Sequence, residues 1–284
     1  MKVLTIFVRH GLDKYANAQR DLTAVVERQL PGLTRDVIVV DTALPAETVE
    51  QLDGSVLLGS DNRHREFGAF DRAVAWAGGT LHDYDLVQFV TSAFNTLYTS
   101  YLERFDHAAL GAIIGRPVCL GHIDCYNDPV RFESYVSQHW IRTCFFFLPP
   151  EQVTLLGSFV SVPSGAAYFS GTPGEPFRSH APIDERYRSY ITGWLTGDDI
   201  GQGVTWHSKE ALTPEGLHAF EQKTLCILNE HKLAVRLRAM GCALIDVTWL
   251  STLVKTLPPA QIPWHLSWRS QLANRDRDQV RPGS

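Results

Sequence analysis

Short, continuous apolar runs recur through the first third of the chain, and each stops at polar side chains. Val3–Val8 ends at Arg9-His10-Gly11, Val37–Val40 at Asp41, Ser55–Gly59 at Ser60-Asp61-Asn62, and Leu86–Val90 at Thr91-Ser92-Ala93. Runs that do not alternate apolar with polar residues predict strands covered on both faces, as in a parallel sheet. Helix-like stretches lie among them, Ala18–Leu30 stopped by Pro31-Gly32 and Gly68–Ala77 stopped by Gly78-Gly79. That order predicts a doubly wound α/β arrangement, in which ligands bind outside the carboxyl ends of the strands. The polar residues just named occupy those ends.

The rest of the chain reads differently. Val118–Ile123 and Thr143–Leu148 are strand-like and flank a polar stretch, Asp124–Ile141. Pro149-Pro150 opens a short helix, residues 161–182 form a Ser-, Gly- and Pro-rich loop, and Tyr187–Leu195 is helical. Thr213-Pro214-Glu215 has the form of a helix start, with a capping hydroxyl, proline in the first turn and an acid near the dipole. The helical pattern runs towards Gly241 with a possible restart at Asn229, and Ala243–Val247 is strand-like or extended. We expect one domain over residues 1–270, with a ligand-binding half (1–115) and a catalytic half (116–270), then a disordered polar tail (271–284).

Composition narrows the partners. With 284 residues, 44% of them hydrophobic and 20% charged, the chain can bury one large core. A net charge of −5 without a basic stripe argues against nucleic acid. Cys119, Cys125, Cys144, Cys226 and Cys242 contain no C-x-x-C spacing and are expected as apolar positions in a reducing, cytoplasmic setting. The first residues lack a signal-peptide pattern, and no stretch approaches the roughly 18–20 apolar residues of a membrane span. Peripheral association with the inner face of a membrane is compatible with this.

Several segments, in this order, resemble the GT-A nucleotide-sugar transferases, in particular the inverting family that builds bacterial surface polysaccharides and its rhamnan-synthesis branch. The segments are Val3–Val8, the strand ending at Asp41, the turn Asp61-Asn62-Arg63-His64-Arg65-Glu66, the strand Tyr84–Val90, Trp140–Phe147, and Asn229–Gly241, which is similar to the family's Glu-Asp-x-Asp-Leu-x-x-Arg-Leu helix. The resemblance covers about residues 1–250. It implies a GT-A-like, Rossmann-type three-layer sandwich with a mostly parallel central sheet and C-terminal helical additions. The implied activity is transfer of a sugar, with rhamnose one candidate, from a nucleotide-diphosphate donor to a polysaccharide or lipopolysaccharide-type, lipid-linked acceptor. Other glycosyltransferase domains are possible partners. A non-catalytic nucleotide-sugar- or glycan-binding module is the alternative.

Inverting transfer needs a base for the acceptor hydroxyl, positive charge for the departing diphosphate, and a pocket that aligns both. The resemblance makes Glu230 the base. Independently, Glu230 is a carboxylate inside the apolar stretch Leu225–Leu237, where burial would raise its pKa, unless it is simply an acid in a helix's first turn. Glu221 is the fallback. Arg9, His10 and Asp41 are donor-side candidates, although Asp also caps turns. Asp61, Asn62, Arg63, His64 and Arg65 are a diphosphate site or else a solvated turn. Thr91 and Ser92, with Ala93, stand where the family carries metal-binding acids. Hydroxyls alone hold Mg²⁺ or Mn²⁺ poorly, and Asp83 and Asp85 lie at the wrong end of that strand, so no metal cofactor is expected. His122-x-Asp124 is the weaker metal alternative. Asp124, Tyr126, His139 and Trp140 are acceptor-side candidates, with Trp194, Asp198-Asp199 and Trp206-His207 behind them. Trp249, Trp264 and Trp268 are expected to pack.

Overall fold

The computed structural model describes residues 1–96, 99–197 and 211–273. Asp198-Asp199, Trp206-His207 and the tail beyond Ala273 lie outside the described residues. The first half comprises β1 (Lys2–Arg9), α1 (Ala18–Gln29), β2 (Thr34–Asp41), β3 (Val49–Leu52), β4 (Ser55–Gly59), α2 (Arg65–Ala77), β5 (Leu86–Thr91) and α3 (His107–Ile113). The second comprises β6 (Val118–Phe132), β7 (Tyr135–Leu148), α4 (Pro150–Leu156), α5 (Glu185–Thr196), α6 (Leu217–Ala239), β8 (Ala243–Asp246), α7 (Val247–Leu253) and α8 (Trp268–Leu272).

All strands join one 8-stranded sheet, ordered β3-β4-β2-β1-β5-β7-β6-β8. β1 pairs parallel with β2 and β5, β2 with β4, and β6 with β8. The antiparallel pairs are β3–β4, β5–β7 and β6–β7. Alternate residues of each strand face opposite layers. Val3, Phe7, Val39 and Val90 pack with α1, α3 and α7, whereas Leu4, Ile6, Val8 and Phe89 pack with α2, α4 and α6. The α/β three-layer expectation is met. In the second layer, Phe89 stacks on Phe146 at 4.9 Å and meets Phe70 edge-on at 5.1 Å. Such pairs contribute about 1 kcal/mol each beyond buried area.

A third cluster departs from the simple sandwich. The polar stretch Asp124–Ile141 forms the outer part of a long β6–β7 hairpin. Its register shifts between Gly121 and Ile123 and between Cys125 and Val130. A Cβ on Gly121 would lie 2.7 Å from Ile141 Cγ2, so the first irregularity needs glycine. Beyond the second shift, Val130 and Phe132 pack with Phe177, Tyr187, Ile191, Phe220 and Leu228 of the Ser/Gly/Pro-rich segment, α5 and α6. Only one face of this extension is covered, so its sequence looks polar.

Other boundaries also move. β3 was not legible because all of its residues are exposed. Thr213-Pro214-Glu215 is a turn before α6 instead of its first turn: Gly216 N–H donates to Thr213 Oγ1 at 3.1 Å, and Gly216 is the N-cap. α6 runs without a restart through Asn229, whose Oδ1 accepts the amides of Ser161 (2.7 Å) and Val162 (2.8 Å). Ala243–Val247 divides at Asp246, which ends β8 and caps α7 by accepting the amides of Thr248 and Trp249. Gln271, assigned to the tail from sequence, is 2% exposed and accepts the Asp246 amide at 2.8 Å.

A candidate active site at the carboxyl ends of the strands

Where β1, β2 and β5 end, the chain leaves the sheet and α6 crosses nearby, enclosing a cavity of about 510 Å³. That volume falls in the range of small-molecule sites. The floor is Val8, Arg9, His10 and Thr42 from the ends of β1 and β2, with Thr91, Ser92 and Ala93 after β5. Asn62, Arg65 and Glu66 enter from the start of α2. The opposite wall comes from β6 and β7 (Asp124, Tyr126, Trp140, Arg142, Thr143) and from α6 (Lys223, Cys226, Ile227, Glu230, His231). On α6, residues 223, 226, 227 and 230 recur at the spacing of one helical face.

Glu230 lies in the middle of α6, not in a first turn, so a helix N-terminus does not account for it. Its Oε1 accepts the Thr143 amide at 2.8 Å and the Thr143 hydroxyl at 2.9 Å. Burial raises its pKa, and the nearby Asp124 and Glu66 add to the rise, against the two Thr143 bonds; the result is about 7. Asp124 is pushed the other way. Burial alone would raise it, but Arg142 grips both oxygens (2.9 and 3.0 Å) and His122 Nε2 stands 3.4 Å off, holding the carboxyl well below the usual range. Two acids on one cavity wall thus have separated protonation behaviour, the pattern expected of an acid–base site.

Around Glu230 lies an aromatic wall. Tyr126 stacks on Tyr190 at 4.7 Å and meets Trp140 at 4.7 Å. His231 lies 4.0 Å from the Trp140 ring, and its Nδ1 is hydrogen-bonded to the Tyr187 hydroxyl. Burial drops the His231 pKa to about 3, so it stays neutral. The cations Arg9, Lys14, Arg65 and Lys223 line the same cavity.

Of the residues expected from sequence, Arg9, His10, Asn62, Arg65, Thr91, Ser92, Asp124, Tyr126, Trp140 and Glu230 line the one cavity. Asp41, Asp61, Arg63, His64 and His139 do not. Asp41 is buried beneath the floor, accepting the amides of Gly11 (2.9 Å) and Ala43 (3.0 Å) and Arg9 Nε (2.7 Å). These bonds outweigh burial and lower its pKa. It braces the loop that presents Arg9. Asp61 accepts the Arg63 amide at 3.3 Å in an exposed turn, and His64 is the N-cap of α2. His139 stacks on Trp268 at 5.1 Å, with Arg238 Nη1 2.7 Å from its Nε2, outside the cavity. Cys125 is exposed and Cys144 and Cys226 line the cavity, so the expectation of buried cysteines holds only for Cys119 and Cys242. Trp249 packs in the core as expected, and Trp194 reaches the cavity.

Sequence reasoning missed Lys14, Glu66, Arg142, Thr143, Lys223 and His231. Glu66, Arg142, Thr143 and His231 lie inside the segments that carry the resemblance, the helical spacing from Glu230 points to Lys223, and Lys14, in the loop after β1, carries no such signal. Among the described residues, no group of three or more His, Cys, Asp and Glu could hold a metal ion. Among the described residues, those lining the cavity just after β5 are Thr91, Ser92, Ala93 and Thr96, and Asp124 is engaged by Arg142.

No family model matches the chain, and no curated protein matches it. Among solved structures it is similar to the mannosyltransferase PcManGT from Pyrobaculum calidifontis, in complex with GDP-Man and Mn²⁺, with 14% identity over 95% of this chain and 84% of that one and a TM-score of 0.35.

Proposed function

We propose that this chain is an inverting, GT-A-like glycosyltransferase that moves a sugar from a nucleotide-diphosphate donor to a glycan acceptor. The observation that carries the reading is Glu230: a carboxyl on the cavity wall with its pKa raised to about 7, close to the value that suits a general base at neutral pH. In the reaction, Glu230 accepts the proton of the acceptor hydroxyl as that oxygen bonds to the anomeric carbon. The bond from that carbon to the diphosphate oxygen breaks on the opposite face. Arg9, Lys14, Arg65 and Lys223 meet the charge of the leaving group, a role that in many transferases falls to a metal. The cavity-lining Tyr126 and Trp140, with Tyr190 stacked on Tyr126, suit the apolar face of an acceptor sugar.

The finer reading follows the sequence resemblance. The acceptor is a bacterial surface polysaccharide or lipid-linked glycan of the O-antigen type, rhamnose is one candidate donor sugar, and the domain works beside other transferases at the inner face of the membrane. Among the described residues no helix is long and apolar enough to cross a membrane.

Glu230→Gln tests the base directly. We expect kcat for sugar transfer to fall by about 10³-fold, within the range of general-base removal, with donor affinity changed less than threefold. A variant that turns over at near-normal rate refutes the assignment. A binding module without catalysis is the second reading, favoured by the two Thr143 bonds that tie Glu230 into the structure. It predicts donor binding with no transfer or donor hydrolysis by the unaltered protein.

A further inference from the structure

Glu66 is a deeply placed acid that the transfer step leaves idle. It stands in the first turn of α2 and faces the cavity, and burial raises its pKa. Among the described residues, the hydrogen bond it receives from another side chain is that of Cys226 Sγ to Oε2, at 3.9 Å. A thiol is a weak donor, whereas a carboxylate offers about four acceptor sites. Its own backbone amide and the charge of Arg65 also act on it, and these leave acceptor sites of the carboxyl to spare. The preceding residue has the opposite deficit. Arg65 Nε is buried without a hydrogen-bond partner, and Arg65 holds a left-handed backbone (φ 49°) that non-glycine residues seldom adopt.

A buried, unpaired donor atom of Arg65 and a Glu66 carboxyl with acceptor sites to spare, on consecutive residues lining one cavity, define the ligand they suit. Phosphate oxygens satisfy Arg65 but offer Glu66 nothing. Hydroxyls satisfy Glu66, and a molecule carrying both groups on adjacent atoms satisfies the pair. Cys226, the neighbour of Glu66, lies one helical turn before Glu230 on the same face of α6. Glu66 is thereby placed near the acid at which the anomeric carbon must sit. Resting on the transfer reading, we infer that Arg65 and Glu66 together bind the sugar–phosphate junction of the donor, Arg65 through a phosphate oxygen and Glu66 through the sugar hydroxyls, so that Glu66 is a specificity-determining residue.

The test is calorimetric binding of matched pairs: GDP with GDP-mannose, UDP with UDP-glucose, and dTDP with dTDP-rhamnose. For the pair the unaltered protein binds, Glu66→Gln should weaken the nucleotide sugar about 10-fold and Glu66→Leu further. Both variants should leave the parent diphosphate within twofold. Arg65→Gly, which relieves the backbone, should weaken both members of the pair. Thermal unfolding of each variant within a few degrees of the unaltered protein establishes that they fold. Equal loss for sugar and parent diphosphate in the Glu66 variants, or no loss in either, overturns the role of Glu66. An unaltered protein that binds none of the pairs overturns the transfer reading as well, a result distinct from the others.

Discussion

The two halves of the sheet meet where β5 lies against β7, and they build the cavity by different means. On the β1–β2–β5 side the strands run parallel, and the site residues are simply those at which buried strands stop: Arg9, His10, Thr42, Thr91 and Ser92. On the β6–β7 side the strands are antiparallel, and the site residues lie part-way along them and in the middle of α6: Asp124, Trp140, Arg142, Thr143 and Glu230. The first side takes the placement of its residues from backbone topology, with Asp41 bracing the loop behind Arg9, and its hydroxyls at the end of β5 are expected to tolerate change. The second is held by long-range side-chain bonds, so both its stability and its chemistry depend on individual residues.

That contrast can be broken by substitution. After Glu230→Gln, the largest effect should follow Arg142→Met. It leaves Asp124 without the cation that grips it, at side-chain exposures of 18% and 28% for Arg142 and Asp124. Losing one partner of a buried pair costs about 3–5 kcal/mol, and the residual exposure puts this one near 3, measurable by urea unfolding. Were Arg142→Met to unfold like the unaltered chain, the second side would be no more side-chain-dependent than the first.

Thr143→Val comes next. It removes the hydroxyl bond to Glu230 Oε1 and keeps the amide bond. Because that bond favours the charged form, its loss should move the acid limb of the kcat/KM profile above the value near 7, with Thr143→Ser restoring it. An unmoved limb would detach Thr143 from the titration.

The same group predicts a stability effect. Glu230 has its folded pKa raised from 4.5 to about 7, so its contribution is fully present below 4.5 and is lost as pH rises towards 7. The Tm of the unaltered protein should therefore fall across that window relative to Glu230→Gln, and the difference should level off above it. A constant difference would mean that Glu230 titrates normally. The smallest effect belongs to the first side. Ser92→Ala, at the end of β5, should change unfolding free energy by less than about 0.5 kcal/mol, since the Ser92 amide, not its hydroxyl, makes the 2.8 Å bond to Val8 O. A loss of several kcal/mol would erase the contrast from the other direction.

How much of this was legible follows from the same division. Val3–Val8, Val37–Val40, Ser55–Gly59 and Leu86–Val90 announced their strands because both faces are buried and the apolar runs are unbroken. Of the residues at their ends, Arg9, His10, Asn62, Thr91 and Ser92 reached the cavity as topology requires, whereas the Asp41 carboxylate turned inwards to three local donors and Asp61 stayed in an exposed turn. Asp124–Ile141 misled because a hairpin covered on one side, with Pro129 and shifted register, has no clean period. Thr213 misled because a capping hydroxyl also serves a turn that precedes a helix.

By itself, the sequence determined an α/β sheet with ligand-facing strand ends and marked Glu230 as an acid in apolar surroundings. These depend on local apolar pattern, which the chain carries residue by residue. Only the tertiary structure decided that Thr143, 87 positions away, bonds Glu230, that Arg142 neutralises Asp124, and that Glu66 lines the same cavity with acceptor sites to spare. A pKa is set by every charge and dipole within a few ångströms, and those neighbours are assembled by packing, whatever their distance along the chain.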